Sequence, residues 1–242
     1  MSIAIISDVH ANLEALTAVL RDAEGRGETQ VWCAGDTVGY GPDPAAVLDA
    51  LVQRDAMMVA GNHDLAACGK MGVEEFNPVA AEAALWTRRT LSESECALLA
   101  SLPLTRTSGD FTMVHGTLRQ PEWEYLLTPE QAIAQFELQA TPYSIVGHTH
   151  LPMVVREDGG RPAMLRLLPD TTIELGGERL ILNPGGLGQP RDGDPRAPYL
   201  LYDEESATVS FHRVPYDIGG TRRKIRDAGL PEWLGARLER GQ

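Results

Sequence analysis

The stretch "IAIISDVH" (residues 3–10) gives the first indication of the fold of this 242-residue chain. Residues 3–7 form a short apolar run that is typical of a buried strand. Apolar side chains then recur at helical spacing in residues 11–24, at Leu13, Leu16, Val19 and Leu20. Because "GRG" follows this pattern directly, the stretch predicts one strand and one helix joined by a short polar turn.

The same alternation continues along the first quarter of the sequence. "QVWCAGD" (30–36) and "AMMVAGNHD" (56–64) are typical of buried strands. Between them, "PDPAAVLDALVQRD" (42–55) predicts a helix with Pro44 in its first turn, where proline is tolerated. This βαβαβ rhythm predicts a mostly parallel sheet covered by helices.

The later sequence is richer in strands. Residues 78–101 predict two helices, the second opened by a capping box of Ser92 and Glu95, and residues 128–139 predict another. Strands are predicted at 110–116 and 143–150, and strand patterns dominate from 151 to 214, before a helical tail after Tyr216. We therefore predict an α/β fold with α+β character in the C-terminal half. Two packed mixed β-sheets flanked by helices would form an αββα four-layer sandwich, and with no linker or repeat, residues 1–242 should form a single domain.

Charge and composition restrict the possible partners. The chain has 21 Lys and Arg against 34 Asp and Glu, a formal net charge of −13. Such a field repels polyanions and makes nucleic acid an unfavourable partner, but a local cationic site could still hold a small phosphorylated substrate. No apolar run is long enough to span a bilayer, and the N-terminus lacks a basic start. Three widely spaced cysteines suggest reduced thiols, so we expect a cytoplasmic protein without membrane contact.

Five of the six histidines follow predicted strands. These are His10, His63, His115, His148 and His150, and Asp8, Asp36 and Asn62 occupy similar positions. Sites of α/β proteins form in the crevice beyond the carboxyl ends of the strands. We therefore expect these eight side chains to converge there, whereas His212 lies on an alternating strand as a surface or core residue.

The residue types indicate a metal centre. Carboxylate, imidazole and amide oxygen suit Mn²⁺, Fe or Zn²⁺, and the absence of cysteine disfavours a structural zinc site. Eight candidates exceed the needs of one ion but suit two. A carboxylate between the ions would offset their repulsion, and Asp36 is the natural bridge. Paired ions polarise phosphoryl groups and generate hydroxide near neutral pH.

Together the blocks "DVH…GD…GNHD…VHG…GHTH", in this order over residues 8–150, resemble the calcineurin-like metallophosphoesterase superfamily. The stretches "SDVHANLEAL", "GDTVGYGPDP" and "NPGGLGQPRDGDPRA" are similar to small bacterial phosphodiesterases, some of them diadenosine-tetraphosphatase-like. The resemblance implies a metal-dependent phosphodiesterase or nucleotide hydrolase. In that family a metal-bridging hydroxide attacks phosphorus in line with the leaving group.

The resemblance also implies residue roles. One ion would be held by Asp8, His10, Asp36 and His150, and the other by Asp36, Asn62, His115 and His148. His63 matches the general acid, and Asp64 completes its motif as a second catalytic residue. The two divalent ions are expected to be Mn²⁺, with Fe, Zn²⁺ or Ni²⁺ as alternatives.

Candidate substrate residues lie on loops. Tyr40 in "VGYGPDP" could border a substrate, or the segment could be only a loop shaped by glycine and proline. Arg119, with Trp123 or Tyr125, could form a lip of the site, although a surface turn packed by Trp123 fits the same pattern. Arg191 and Arg196 could meet a second phosphate or remain solvated loop arginines.

Two other functions fit the same blocks. A nuclease is disfavoured by the acidic balance and by the lack of an added DNA-binding domain. A non-catalytic protein-binding scaffold is disfavoured because His63 and every ligand position are intact. The natural substrate, the choice between monoesters and diesters, the metal, the oligomeric state and the acidic partner of His63 stay open at this level.

Overall fold

Twelve strands form two six-stranded sheets in the computed structural model, which describes residues 1–242. The strands are β1 (Ser2–Ile6), β2 (Glu28–Cys33), β3 (Met57–Met58), β4 (Thr105–Ser108), β5 (Phe111–Val114), β6 (Tyr143–Ile145), β7 (Met153–Asp158), β8 (Arg161–Arg166), β9 (Thr172–Glu174), β10 (Leu180–Asn183), β11 (Ala197–Asp203) and β12 (Thr208–Val214). The first sheet has the order β3-β2-β1-β11-β12-β9, and the second has the order β4-β5-β6-β10-β7-β8.

Each sheet contains a parallel core with antiparallel strands beside it. In the first sheet β1, β2 and β3 run parallel, and in the second β5, β6 and β10 do. The other neighbouring strands pair antiparallel, for example β1 with β11 and β10 with β7. The predicted mixed sheets are therefore confirmed. The carboxyl ends of three parallel strands from each sheet mark where a site can form.

Eight α-helices and one 3₁₀ helix surround the sheets. They are α1 (Leu13–Gly25), α2 (Pro44–Val52), α3 (Asn62–Ala67), α4 (Pro78–Thr90), α5 (Glu93–Ser101), α6 (Pro129–Leu138), α7 (Ile218–Asp227), α8 (Glu232–Ala236) and the 3₁₀ helix Arg237–Arg240. The longest helices have 13 residues, and no helix is long and apolar enough to cross a membrane.

Alternation along the strands builds three apolar layers. Ile3 and Ile5 of β1 enter the cluster between the sheets, where they join Ile145 and Leu182 from the second sheet. Because successive side chains of a strand point to opposite faces, the neighbouring residues of β1 face outward instead. They pack beneath α1 and α2, while α6 covers the second sheet through Phe136. The arrangement is the predicted αββα sandwich.

Some short elements differ from the prediction. The expected third strand over 56–64 pairs only at Met57–Met58, and a helix begins at Asn62. The Asp64 carboxylate accepts the Gly61 N–H at 3.0 Å, which favours a helix start at this point. Strands β4 and β9 were not predicted, because their three or four residues carry few apolar side chains. The Ser92–Glu95 capping box is present as predicted.

Candidate metal centre

All the predicted ligands follow the parallel strands. Asp8 and His10 follow β1, Asp36 follows β2, and Asn62 begins the helix after β3. From the second sheet, His115 follows β5, and His148 and His150 follow β6. The two sheets face each other, so their strand ends open into one buried crevice. All seven side chains are at most 5% exposed.

The first group of side chains contains Asp8, His10 and His150. Nε2 of His150 lies 3.2 Å from Oδ1 of Asp8 and 3.2 Å from Nε2 of His10. Oδ2 of Asp36 lies 3.7 Å from Nε2 of His10. The ligand atoms of Asp8, His10 and His150 lie within 4.8 Å of one another, and Asp36 adjoins this group through His10.

The second group contains His115 and His148, with Asp36 shared between the groups. Nε2 of His115 lies 3.3 Å from Oδ2 of Asp36 and 3.1 Å from Nδ1 of His148. Asn62 lies beside them in the lining of the same cavity. Asp36 therefore occupies the bridging position between the two groups.

Backbone carbonyls orient three of the imidazoles. Nδ1 of His10 lies 3.1 Å from the Val38 carbonyl, and Nδ1 of His115 lies 2.9 Å from that of Ala34. Nδ1 of His150 lies 2.6 Å from the carbonyl of Gln189. A carbonyl can only accept, so each Nδ1 carries a proton and each Nε2 faces the crevice. In His148 the positions of the two ring nitrogens are exchanged, since Nδ1 faces His115.

Unusual backbone conformations accompany the cluster. Five of the seven candidate ligands have a φ in the left-handed region, namely Asp8 (54°), His10 (48°), Asp36 (51°), His148 (63°) and His150 (58°). This conformation disfavours side chains other than those of glycine, asparagine and aspartate, and such strain concentrates at functional sites. The loops at the strand ends therefore hold a strained backbone conformation that directs these side chains into the crevice.

The protonation states of the buried carboxyl and imidazole groups favour binding of a cation. Burial opposes ionisation of Asp36, but His115 and its other histidine neighbours hold the pKa of this carboxyl well below its usual value. Burial lowers the pKa of His10, and burial with the nearby His115 lowers that of His148 to about 3. His115 differs: although burial disfavours its cation, Asp36 raises its pKa to about 9. Most of the imidazoles are thus neutral, the form that binds a metal.

Orphaned polar atoms support the same interpretation. Oδ1 of Asp8, Oδ1 of Asn62 and Nε2 of His148 are buried without a hydrogen-bond partner. Buried polar atoms nearly always have a partner, and coordination of an ion is one established reason for an exception. Two of the three are oxygen atoms of predicted ligands. The residues therefore fit a pair of divalent ions.

His63 lies at the mouth of the two groups. Its ring centroid is 4.9 Å from that of His10, 4.4 Å from that of Tyr40 and 4.9 Å from that of Phe76. Its backbone N–H donates to Oδ1 of Asp36 at 2.9 Å. Nδ1 is buried without a partner against Gly39, whose φ of 88° and missing Cβ leave room for the ring. Nε2 is the nitrogen available to a ligand.

Asp64 does not act as the acidic partner of His63. Its carboxylate accepts N–H groups from Gly61 at 3.0 Å and from Val38 at 3.1 Å. Burial and the nearby Asp36 raise the pKa of Asp64 to about 7. Asp64 therefore joins α3 to the loop after β2, and the rings around His63 orient the imidazole instead. These bonds give Asp64 a structural contact on each side, and its predicted catalytic role stays a prediction.

A cavity of about 170 Å³ opens onto the cluster. Its aromatic walls are formed by Tyr40, Phe76, Trp123 and Tyr125, and Arg191 adds a positive charge. The ring of Tyr125 stacks on His148 with centroids 4.0 Å apart and planes inclined by 12°. The cavity joins an aromatic surface to the candidate metal positions.

The candidate substrate residues separate into two sets. Tyr40 and Arg191 line the cavity, as do Trp123 and Tyr125. Arg119 instead lies outside it, half exposed and ion-paired with Glu124. Arg196 is likewise exposed and pairs with Asp194 at 2.6 Å. The structure therefore places Arg119 away from the cavity, paired with a carboxylate five residues along the chain, and its role as a substrate residue stays a prediction.

Two supporting residues were missed from the sequence. Nδ2 of Asn183 donates to the carbonyl of Gly147 at 2.9 Å and to Oγ1 of Thr149 at 3.0 Å, which holds the "GHTH" loop. Gln189 supplies the carbonyl for His150. Asn183 ends β10, a strand parallel to β6, so the rule that selected the histidines would also have selected it.

The chain is similar to known proteins in both sequence and structure. The sequence pattern of the calcineurin-like phosphoesterase superfamily domain matches residues 1–207. An uncharacterised protein from Methanocaldococcus jannaschii is 38% identical over 246 residues, covering 99% of this chain and 98% of its own. The crystal structure of a metallophosphoesterase from Sphaerobacter thermophilus is 44% identical, with a TM-score of 0.91 over 100% of this chain and 99% of that one. A hypothetical protein from Pyrococcus horikoshii shares the fold, with a TM-score of 0.79 at 19% identity over 100% and 98% of the two chains.

Proposed function

Because this chain belongs to the calcineurin-like phosphoesterase superfamily, we propose that it is a dinuclear metal-dependent phosphoesterase that hydrolyses a small phosphodiester or nucleotide. The observation that carries the proposal is the convergence of six ligand-type side chains around Asp36, with two ligand oxygens left unpartnered. Packing alone does not require unpartnered carboxylate and amide oxygens in a buried crevice.

The residues around Asp36 define the two proposed metal positions. Asp8, His10 and His150 would hold one ion, Asn62, His115 and His148 would hold the other, and Asp36 would bridge them. Two divalent ions held there would polarise a phosphoryl oxygen and activate a water near neutral pH. The mixed nitrogen and oxygen donors suit Mn²⁺, which we propose as the resident metal, and also Fe, Zn²⁺ or Ni²⁺.

His63 is the proposed general acid. Burial lowers its pKa to about 4 in the free protein, so the ring is neutral before a substrate binds. The negative charge of a phosphoryl group beside Nε2 would raise that pKa and favour protonation. A protonated His63 could then transfer its proton to the leaving oxygen. Tyr40 and Phe76 keep the ring in place for this transfer.

The cavity supports a small substrate. About 170 Å³ accommodates a phosphoryl group and part of its ester, and Arg191 can pair with a phosphate oxygen. The aromatic walls suit a flat ring of the substrate. The net charge of −13 continues to disfavour a long polyanion such as DNA.

The rest of the chain supports one domain and a reducing compartment. The cluster between the sheets combines side chains from both halves of the sequence, which supports a single domain over residues 1–242. All three cysteines are free, which is compatible with a cytoplasmic protein. We propose both the single domain and the cytoplasmic location.

A matrix of metals and substrates tests the function. The protein is stripped of metal, reloaded with Mn²⁺, Fe²⁺, Zn²⁺, Ni²⁺ or Mg²⁺, and assayed with chromogenic phosphomonoesters and phosphodiesters. We expect metal-dependent turnover, greatest with Mn²⁺ and a diester, that chelation abolishes. Absence of turnover with every metal, across esters and nucleotides, would contradict the proposal and favour a scaffold.

A further inference from the structure

Two partly buried arginines near the cavity form no ion pair with an acidic side chain. Six arginines of the chain are at least partly buried. Four of them, Arg156, Arg179, Arg213 and Arg222, form ion pairs with carboxylates. Arg191 and Arg237 form no ion pair with an acidic side chain, although the chain contains 34 acidic residues, and Nε of Arg237 donates to the backbone oxygen of Gln242. Partly buried charges are ordinarily paired, so these two guanidinium groups call for an anion.

The two arginines face one cavity. A chamber of about 490 Å³, here called the outer chamber, is lined by Tyr40, Asn77, Val79, Tyr125, Arg191, Trp233 and Arg237. Four of these residues also line the cavity over the metal positions, so the two spaces adjoin. No carboxylate lines the outer chamber. A ligand at the metal positions can therefore extend directly toward both arginines.

One amide holds the two guanidinium groups together. Oε1 of Gln189 accepts from Arg191 at 3.2 Å and from Arg237 at 2.9 Å. The Arg237 guanidinium lies 4.4 Å from the centre of the Trp233 ring. Nε of Arg191 is buried without any partner. The donors are fixed in place while part of their hydrogen-bonding capacity is unused.

The charges of the pair repel each other. Burial and the nearby Arg191 lower the pKa of Arg237 to about 10. A bound anion would relieve this repulsion and accept from both forks, and phosphate matches guanidinium geometry well. Gln189 also links the pair to the candidate metal centre, since its carbonyl orients His150.

The outer chamber depends on the C-terminal segment. Trp233 belongs to α8 and Arg237 to the 3₁₀ helix that follows, both beyond the residues 1–207 that match the superfamily pattern. Arg191 lies within that range, on the loop between β10 and β11. The outer chamber therefore combines a residue of the matched range with two residues of the C-terminal segment.

We propose that Arg191 and Arg237 bind a second phosphate group of the substrate, so that the enzyme prefers compounds that carry at least two phosphates. This inference rests on the proposed function, because it places the first phosphate at the metal positions. The side-chain amide of Gln189 is a positioning group that holds the two arginines beside each other.

Binding of non-hydrolysable probes tests the inference without turnover. Methylenebisphosphonate and methylphosphonate carry two and one phosphonate groups, and their dissociation constants for the Mn²⁺-loaded protein are measured by calorimetry. We expect the wild type to prefer the bisphosphonate, and Arg237→Gln to reduce that preference about 10- to 100-fold, since one or two charge-assisted hydrogen bonds are lost. Arg237→Lys, which keeps the charge but not the fork, should give an intermediate value.

Arg240→Gln is the matched control. Arg240 lies on the same 3₁₀ helix and is exposed, and it forms no ion pair, so its substitution removes the same charge without changing the preference. Thermal unfolding of each variant identifies any loss of folding.

The results of these measurements distinguish a failure of this inference from a failure of the proposed function. An equal preference in wild type, Arg237→Gln and Arg240→Gln overturns the inference, even if chromogenic esters are hydrolysed. Equal affinity of the wild type for both probes overturns it as well. An Arg237-dependent preference without turnover of any ester would support the anion site and contradict the proposed function.

Discussion

The two candidate metal positions share Asp36 but are supported differently. At the first position, the Nδ1 atoms of His10 and His150 both bond to backbone carbonyls, and Oδ2 of Asp8 accepts the His148 N–H at 3.1 Å. At the second position only His115 has a carbonyl partner. His148 rests against an aromatic ring, and its Nε2 has no partner.

This difference bears on metal retention. A hydrogen bond to backbone fixes both the tautomer and the direction of an imidazole before the ion arrives. A stacked ring restricts the plane of His148 but leaves rotation within that plane freer, so ordering it on binding costs more conformational entropy. We expect the first position to retain its ion more tightly than the second.

Substitution of the shared carboxylate should have the largest effect. Asp36→Asn keeps an oxygen for the His63 N–H but removes the bridging charge, so both positions should lose occupancy and activity should fall by about 10³-fold or more. Metal analysis and steady-state kinetics provide the measurement. Asp49→Asn, on the exposed side of α2, is the control and should change neither value. Two tightly held ions in Asp36→Asn would contradict the bridge.

Removal of His63 should affect chemistry without affecting either metal position. Loss of a general acid typically costs about 10²- to 10⁴-fold in rate, so we expect His63→Ala to abolish most turnover while metal content stays nearly unchanged. Substrates with better leaving groups should lose less, because they need less proton transfer. Full activity in the variant would remove His63 from the acid role.

The difference between the positions can be tested at Tyr125. Tyr125→Ala removes the ring stacked on His148 and should weaken the second ion by about tenfold, in the range seen for groups that orient ligands. The first ion should bind as before. Stepwise Mn²⁺ titration resolves the two affinities, and Tyr125→Phe, which retains the ring, serves as the matched control. Equal weakening at both positions would show that the stack does not favour one of them.

A substitution far from both positions should have the smallest effect. The capping box of α5 joins Ser92 to Glu95, and Ser92→Ala should lower the free energy of unfolding by about 1 kcal/mol. Metal content and turnover should not change. Denaturant unfolding measures the first quantity, and an accompanying loss of metal would show that the site is coupled to this helix.

Local sequence patterns predicted the elements that carry strong apolar periodicity. These include the strand and helix that open the chain, the helices of residues 78–101 and the strands beyond residue 151 other than β9. Short elements such as β9 were missed because three residues with one buried side chain give no measurable period. The start of α3 was missed because it depends on the Asp64 carboxylate, whose role is visible only in the folded chain.

The candidate site likewise contains residues that the sequence predicted and residues that it did not. The rule that polar side chains at parallel strand ends converge selected the seven ligands, and their geometry agrees with it. The same rule applied to β10 would have selected Asn183. It could not select Gln189, which lies on an irregular loop and reaches the site through its carbonyl. The sequence also could not distinguish Arg119, which pairs with Glu124, from Arg191, which lines the cavity.

The sequence by itself determined the kinds of donor atoms, their order and the strands that carry them, because periodicity and motif spacing are properties of the chain alone. Only the tertiary structure decided which nitrogen of each imidazole faces the crevice and which arginines lack a carboxylate. Those outcomes depend on backbone groups and charges that are distant in sequence, as Arg191 and Arg237 are. Folding alone brings such groups within hydrogen-bonding distance.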